Sequence, residues 1–195
     1  MYQNTRNIEI SLFLQMKEKT DEEILSLIRN PKTKEQGFRL LMEQHKERIY
    51  WSIRRMVVKH EDAEDILQET FINVYRHIEG FMGASKIYTW IYRIAINECL
   101  RSFQKKKLKM TESLNEALVR DLSNETHDNA DEMIINLQKA ILRLPEKQQL
   151  VFNLRYYDDL SYEDISQILN SSVATLKTNY HYAKEKIKNE LLNVS

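Results

Sequence analysis

Only three glycines and two prolines interrupt this chain of 195 residues. Strand-and-turn architectures need such residues every few positions, because tight turns draw on their special backbone conformations. Leu, Ile, Lys, Glu and Gln are plentiful instead, which suits long helices. The expected fold class is all-α, and the length allows one large domain or two small ones, each with a hydrophobic core.

Periodicity locates the helices. In Phe38 to Val58 the apolar residues Leu41, Ile49, Ile53 and Val57 recur at multiples of four, as one buried stripe requires. His60 to Phe81 carries Ala63, Ile66, Leu67, Phe71, Val74 and Ile78 in the same way before Gly80 and Gly83 break the pattern. A third strong helix then runs towards Phe103, with Ile87, Ile91, Ile94 and Ala95 expected on its inner face. Between Lys107 and Asp131 the periodicity weakens and Ser, Thr and Asn rise. A second helical block starts near Asp131, with Pro145 suited to a first helical turn and Ser161 opening a Ser-x-x-Asp variant of the capping box. The expected organisation is a tail over 1–22, a helical domain over 23–107, an acidic linker over 108–130 and a second helical domain over 131–195.

Twenty-nine basic residues balance twenty-nine acidic ones, so the informative quantity is where charge gathers. YTWIYRIAINECLRSFQKKK, from Tyr88, crowds cations with aromatics. At helical spacing Lys86, Trp90, Arg93, Asn97 and Arg101 lie together opposite the aliphatic face, with Lys105 and Lys106 at the helix end. Cations hold phosphates, while Tyr88, Trp90 and Tyr92 offer planes on which unpaired bases stack. The preceding helix is unlike it: Asp62, Asp65 and Glu69 set carboxylates along one side, with Gln68 beside them. No nucleophile, HExxH or Gly-rich phosphate loop accompanies these acids, so they fit a protein partner better than catalysis. No catalytic residue, metal site or cofactor is expected.

LSYEDISQILNSSVATLKTNYHYAKEKI has the form of a helix-turn-helix, with Asn170 at the left-handed turn position. Val173, Leu176, Ala183 and Ile187 would pack inward, leaving Thr175, Lys177, Thr178, Asn179, His181, Tyr182 and Lys184 to meet phosphates or base edges. On spacing alone an ordinary amphipathic αα-hairpin explains the pattern equally well. The single cysteine, Cys99, forms no intrachain disulfide, which fits a reducing compartment. The N-terminus lacks a signal-peptide core, and no apolar span reaches the ~20 residues a bilayer needs. A cytoplasmic location without membrane insertion is expected.

Three stretches in order, HEDAEDILQETFINVYRHI, GFMGASKIYTWIYRIAINECLRSFQKKK and LPEKQQLVFNLRYYDDLSYEDISQILNSSVATLKTNYHYAKEKI, resemble regions 2 and 4 of an extracytoplasmic-function sigma factor of bacterial RNA polymerase. The resemblance covers the chain from about Glu23 to Leu192. It implies that Asp62, Asp65, Gln68 and Glu69 bind the clamp helices of the largest subunit of core RNA polymerase. It also implies that Gly80 to Lys86, with the following helix, captures an extruded base of the −10 element, and that the Val173 to Lys188 helix reads the −35 element of promoter DNA. The acidic linker, a solvated spacer when read alone, would thread towards the RNA exit channel, and an anti-sigma factor is implied as a further partner. Asn170 and Ala174 stand where the family commonly has Gly and Ser166 where it has Ala, which are packing changes, while Asn179 and Tyr182 stand where it commonly has Arg, which leaves the −35 preference open. The competing expectation is a stand-alone helix-turn-helix regulator, which would bind its DNA without polymerase.

Overall fold

The structure, a computed structural model, describes residues 19–108, 114–125 and 132–194. Most of the expected N-terminal tail (residues 1–18), parts of the expected linker (109–113 and 126–131) and Ser195 lie outside the described residues. The helices are α1 (Asp21–Arg29), α2 (Lys34–Val57), α3 (His60–His77), α4 (Ile87–Lys107), α5 (Leu114–Glu125), α6 (Glu132–Leu142), α7 (Glu146–Tyr156), α8 (Tyr162–Leu169) and α9 (Val173–Val194). A single 3₁₀ turn, Ile78–Gly80, follows α3.

Local chemistry sets the boundaries. Thr20 and Glu23 form a reciprocal capping box at the start of α1, each side chain accepting a hydrogen bond from the other residue's backbone N–H at 3.3 and 2.8 Å. Gly37 lets α1 and α2 close on each other: a Cβ there would lie 2.8 Å from the Ile28 backbone nitrogen. Val58 ends α2 with φ of 69°, an unfavourable setting for a β-branched residue and one that burial among the core holds in place. Gly83, at φ 74°, turns the loop that leads into α4. In the C-terminal half Pro145 is the N-cap of α7, and Asn170 ends α8 in the left-handed conformation, φ 48° and ψ 52°, as its side chain predicts.

The expected stripes are buried. Leu41, Ile49, Ile53 and Val57 of α2 meet Ala63, Ile66, Phe71 and Val74 of α3 and Ile87, Ile91 and Ala95 of α4. Full burial of each large aliphatic or aromatic side chain contributes roughly 1.5–3 kcal/mol. On α3, Leu67 of the expected stripe is only partly buried. Two positions of α4 also differ from expectation: Ile94 is only partly buried, and Tyr92, expected to offer its ring to bases, is 1% exposed. The reason is that α4 packs on two sides, against α2 and α3 and also against α8.

The same apolar cluster continues into the C-terminal half through Leu142, Leu150, Val151, Leu154, Ile165 and Ile168. A smaller cluster of Ala140, Ile141, Leu144, Phe152, Ala183 and Ile187 holds α6, α7 and α9 together. The stretch expected as a tether contains α5, which buries Leu114, Ala117 and Leu118 and ties Asp121 to Lys59 at 3.2 Å.

Candidate nucleic-acid and partner interfaces

Helix α3 places the acidic ridge. Asp65, Gln68 and Glu69 are exposed, while Asp62 is half-buried and accepts a 2.6 Å hydrogen bond from Lys106. The ridge therefore separates into an exposed part and a part already neutralised by a cation expected to meet DNA. Gln68 also borders an apolar groove of about 610 Å³ between α2 and α3, lined by Phe38, Met42, Leu67, Phe71 and Tyr75. An acidic rim beside an apolar groove suits a basic, partly apolar protein surface.

Helix α4 presents the cation stripe as its spacing predicts. Lys86, Arg93, Asn97, Arg101 and Lys105 are exposed. Arg101 pairs with Glu98 at 2.5 Å, and Glu98 also accepts from the Asn73 amide at 3.0 Å. Trp90 is half-buried, its ring 5.3 Å from that of Phe81. Both rings border a depression of about 440 Å³ formed by Gly80, Met82, Ala84, Ser85 and Arg93. Met82 is 90% exposed beside it. An aromatic-walled depression next to a cation matches what an unstacked base requires.

The C-terminal half lies over this surface. Gln167 and Asn170 complete the rim of the same depression, and Arg93 and Asn97 face Thr175 and Asn179 across an adjoining cleft. Asp164 reaches furthest. Its carboxylate accepts from the Tyr88 hydroxyl at 2.9 Å, from the Lys86 ammonium at 3.4 Å and from its own N-cap, Ser161, at 2.6 Å. Burial alone would raise the Asp164 pKa, but the Ser161 and Tyr88 hydrogen bonds and the Lys86 charge hold it below the usual carboxylate range. On Lys86 the Tyr88 hydrogen bond and the Asp164 charge act upwards. The expected capping box is thus half formed: Ser161 caps the Asp164 N–H at 3.1 Å, while the Asp164 side chain turns to α4.

A second acid, Asp158, is buried against α2. It accepts from the Ser52 hydroxyl at 2.7 Å and from the Arg55 guanidinium at 2.5 Å, and its backbone carbonyl accepts from Arg48. Burial pushes its carboxyl up, against the pull of Arg55 and Ser52. Nothing in the sequence reading singled out Arg48, Ser52, Arg55, Asp158 or Asp164 as partners; the available signal was the acidic run YYDDLSYED opposite a neutral chain's local cations.

Helix α9 exposes most of the residues expected to meet DNA. Leu176, Ala183 and Ile187 are buried, Val173, also expected inward, is only partly buried, and Thr175, Lys177, Thr178, His181, Tyr182 and Lys184 are exposed. Ser172 caps the helix by accepting from the Thr175 N–H at 3.2 Å, and Thr178 donates back to the Ala174 carbonyl at 3.0 Å. Asn179 is half-buried on the cleft side, so it faces α4 rather than the open face of the helix.

Comparison with known proteins agrees with this layout. The Sigma-70 region 2 family matches residues 41–108, and Sigma-70, region 4 matches residues 134–187. The ECF RNA polymerase sigma factor SigW of Bacillus subtilis (strain 168) is 34% identical over 166 residues, 80% of this chain and 89% of that protein. Among solved structures, CnrH in complex with the cytosolic domain of CnrY covers 90% of this chain and 99% of that one, with a TM-score of 0.67 at 16% identity. RpoE bound to the anti-sigma factor NepR from Bartonella quintana covers 81% and 98%, with a TM-score of 0.63 at 20% identity. At these identities the structural likeness is one of fold.

Proposed function

Because the chain belongs to the extracytoplasmic-function subfamily of sigma-70-type RNA polymerase sigma factors, we propose that it directs core RNA polymerase to specific promoters and assists strand opening at the −10 element. In this reading Asp65, Gln68 and Glu69, with Asp62 once released from Lys106, bind the clamp helices of the polymerase's largest subunit. Lys86, Tyr88, Trp90, Arg93, Asn97, Arg101, Lys105 and Lys106 engage the −10 region. Thr175, Lys177, Thr178, His181, Tyr182 and Lys184 meet the −35 element, with Asn179 at the edge of that surface. The chain supplies recognition and leaves the chemistry to the polymerase. It acts in the cytoplasm, where an anti-sigma factor restrains it.

The observation that carries this reading is the pairing, in one chain, of an exposed cation stripe beside an aromatic depression with an exposed recognition helix. Neither feature alone separates strand opening from ordinary duplex binding. Opening a base pair costs a few kcal/mol, and a pocket with a stacking surface offsets that cost.

Multi-round transcription by core polymerase on genomic fragments, with and without the chain, tests the proposal. Discrete promoter-directed transcripts should appear only when both are present. Tight, specific promoter binding by the chain in the absence of polymerase would favour a stand-alone regulator instead.

A further inference from the structure

Arg48, Ser52 and Arg55 stand at i, i+4 and i+7 of α2, on one face. They close on one residue of the other half of the chain: Ser52 and Arg55 hold the Asp158 carboxylate, whose side chain is 2% exposed, and Arg48 holds the Asp158 backbone carbonyl. Among the described residues, neither arginine is paired with a carboxylate of the N-terminal half. When the C-terminal half lifts away, these cations therefore lose their counter-charge together. Isolated charges at a partly buried surface favour a replacement anion.

The chemistry of the seat points to which anion. It offers more donors than a carboxylate uses, since the buried Arg55 Nε has no hydrogen-bond partner among the described residues, and the buried Tyr92 hydroxyl faces Asp158 and Arg48 without reaching full hydrogen-bond geometry to either. Two guanidinium groups and two hydroxyls form a polydentate cradle better matched to a tetrahedral phosphate than to a planar carboxylate. The seat is also continuous with the −10 surface. Arg48 lies 5.8 Å from the ring centres of both Tyr88 and Tyr92, and Tyr88 in turn carries Lys86 at 3.1 Å.

We propose that Arg48, Ser52, Arg55 and Tyr92 form a seat for a backbone phosphate of the opened promoter strand, and that Asp158 occupies it in the closed chain as a phosphate substitute. This rests on the reading of α4 as the −10 surface and extends it onto α2. Promoter single strand and the C-terminal half then compete for the same donors, so release of Asp158 and capture of DNA are one exchange.

The test uses the full chain and a labelled single-stranded oligonucleotide of mixed sequence, with affinity measured across a range of salt. Asp158→Asn should raise the open fraction of the chain, seen as an increase in mean size by small-angle scattering, and tighten strand binding about tenfold, the effect of one charge-assisted contact. Its salt slope should steepen by ~0.7, the value of one phosphate on a single strand. Arg48→Gln with Arg55→Gln breaks the same contact from the other side, so it should expand the chain equally yet bring no gain in affinity. Combined with Asp158→Asn, it should remove that variant's gain, with helical content checked by circular dichroism. An equal gain from the two openings, or none from Asp158→Asn, reduces the contact to a simple clasp and overturns the seat. Inorganic phosphate at matched ionic strength should leave the gain in place; if it abolishes it, the seat takes free phosphate and the DNA assignment fails. Arg93→Ala in the Asp158→Asn chain separates the two layers of argument. If it weakens strand binding while the arginine pair has no effect, only the seat falls; if neither matters, the −10 reading falls with it.

Discussion

Reversing charge at Asp65 and Glu69 together should abolish capture of core polymerase while leaving the fold intact. Both side chains are exposed on α3, and they repel each other at i, i+4 by a few tenths of a kcal/mol, as two lysines would. Lost interaction with the helix N-terminus is worth at most about 1 kcal/mol. The folding cost of Asp65→Lys with Glu69→Lys therefore stays near or below ~1 kcal/mol. At an interface the sum differs. A unit charge 4 Å from an opposite one gains about 1 kcal/mol even at the dielectric of water, and reversal replaces that gain with a loss of the same size. Two reversals cost about 4 kcal/mol, roughly a thousandfold in affinity. Asp62 must be left out of this test. Asp62→Lys would also break the 2.6 Å pair with Lys106 and place two ammonium groups together, mixing a folding defect with a binding one. The assay is fluorescence anisotropy of the labelled chain titrated with core polymerase, with thermal melts of both proteins. A folded double variant that binds polymerase within threefold of the parent would refute the ridge assignment.

Three further outcomes are expected. Trp90→Ala and Arg93→Ala should impair transcription from duplex promoters more than from templates carrying a premelted bubble; Trp90→Ala should also lower the melting temperature, because its ring packs on Phe81, whereas exposed Arg93→Ala should not. Lys177→Ala should weaken upstream promoter contact and reduce the salt slope by about one unit, with an unchanged footprint and slope arguing against the groove-facing placement. Stability should fall in mild acid through His45, whose pKa is lowered by burial, and by Arg48 against the opposing Asp21. The unfolded chain then binds the extra proton, so this stability is complete above the ordinary imidazole value near 6.5 and declines below it by at most about 1.4 kcal/mol per pH unit. Denaturant titrations on either side of that value should show the decline, and His45→Gln should flatten it.

Much of this fold was legible because its signals are local. Asn170 at the left-handed turn, Pro145 ahead of α7 and the four-residue repeats of α2 and α3 each state a backbone preference within a few positions. The cation stripe of α4 was legible for the same reason, since i, i+3 and i+4 neighbours follow from helical geometry alone. Helix α5 was not, because Leu114, Ala117 and Leu118 form a short apolar face diluted by Asn, Glu and Arg, and a helix of that length is marginal until tertiary contacts bury it. Tyr92 was misjudged for a related reason. Its neighbours on α4 suggest a stacking plane, but its burial is decided by other elements, with Arg48 of α2 and Asp158 of the C-terminal half beside it. The partners of Asp158 and Asp164 on α2 and α4 lie 75 to 110 positions distant, and no periodicity reports a contact of that kind.

The apolar cluster that runs unbroken from α2 through α4 into α7 and α8 has a kinetic consequence. Separating the halves exposes Leu150, Val151 and Ile168 to water before any new partner can cover them, and each such side chain resists exposure by roughly 1.5–3 kcal/mol. Where docking requires the halves apart, opening is a unimolecular step that precedes it. The rate of complex formation with a large partner should rise with partner concentration only until opening limits it, and then level off at a value belonging to this chain alone.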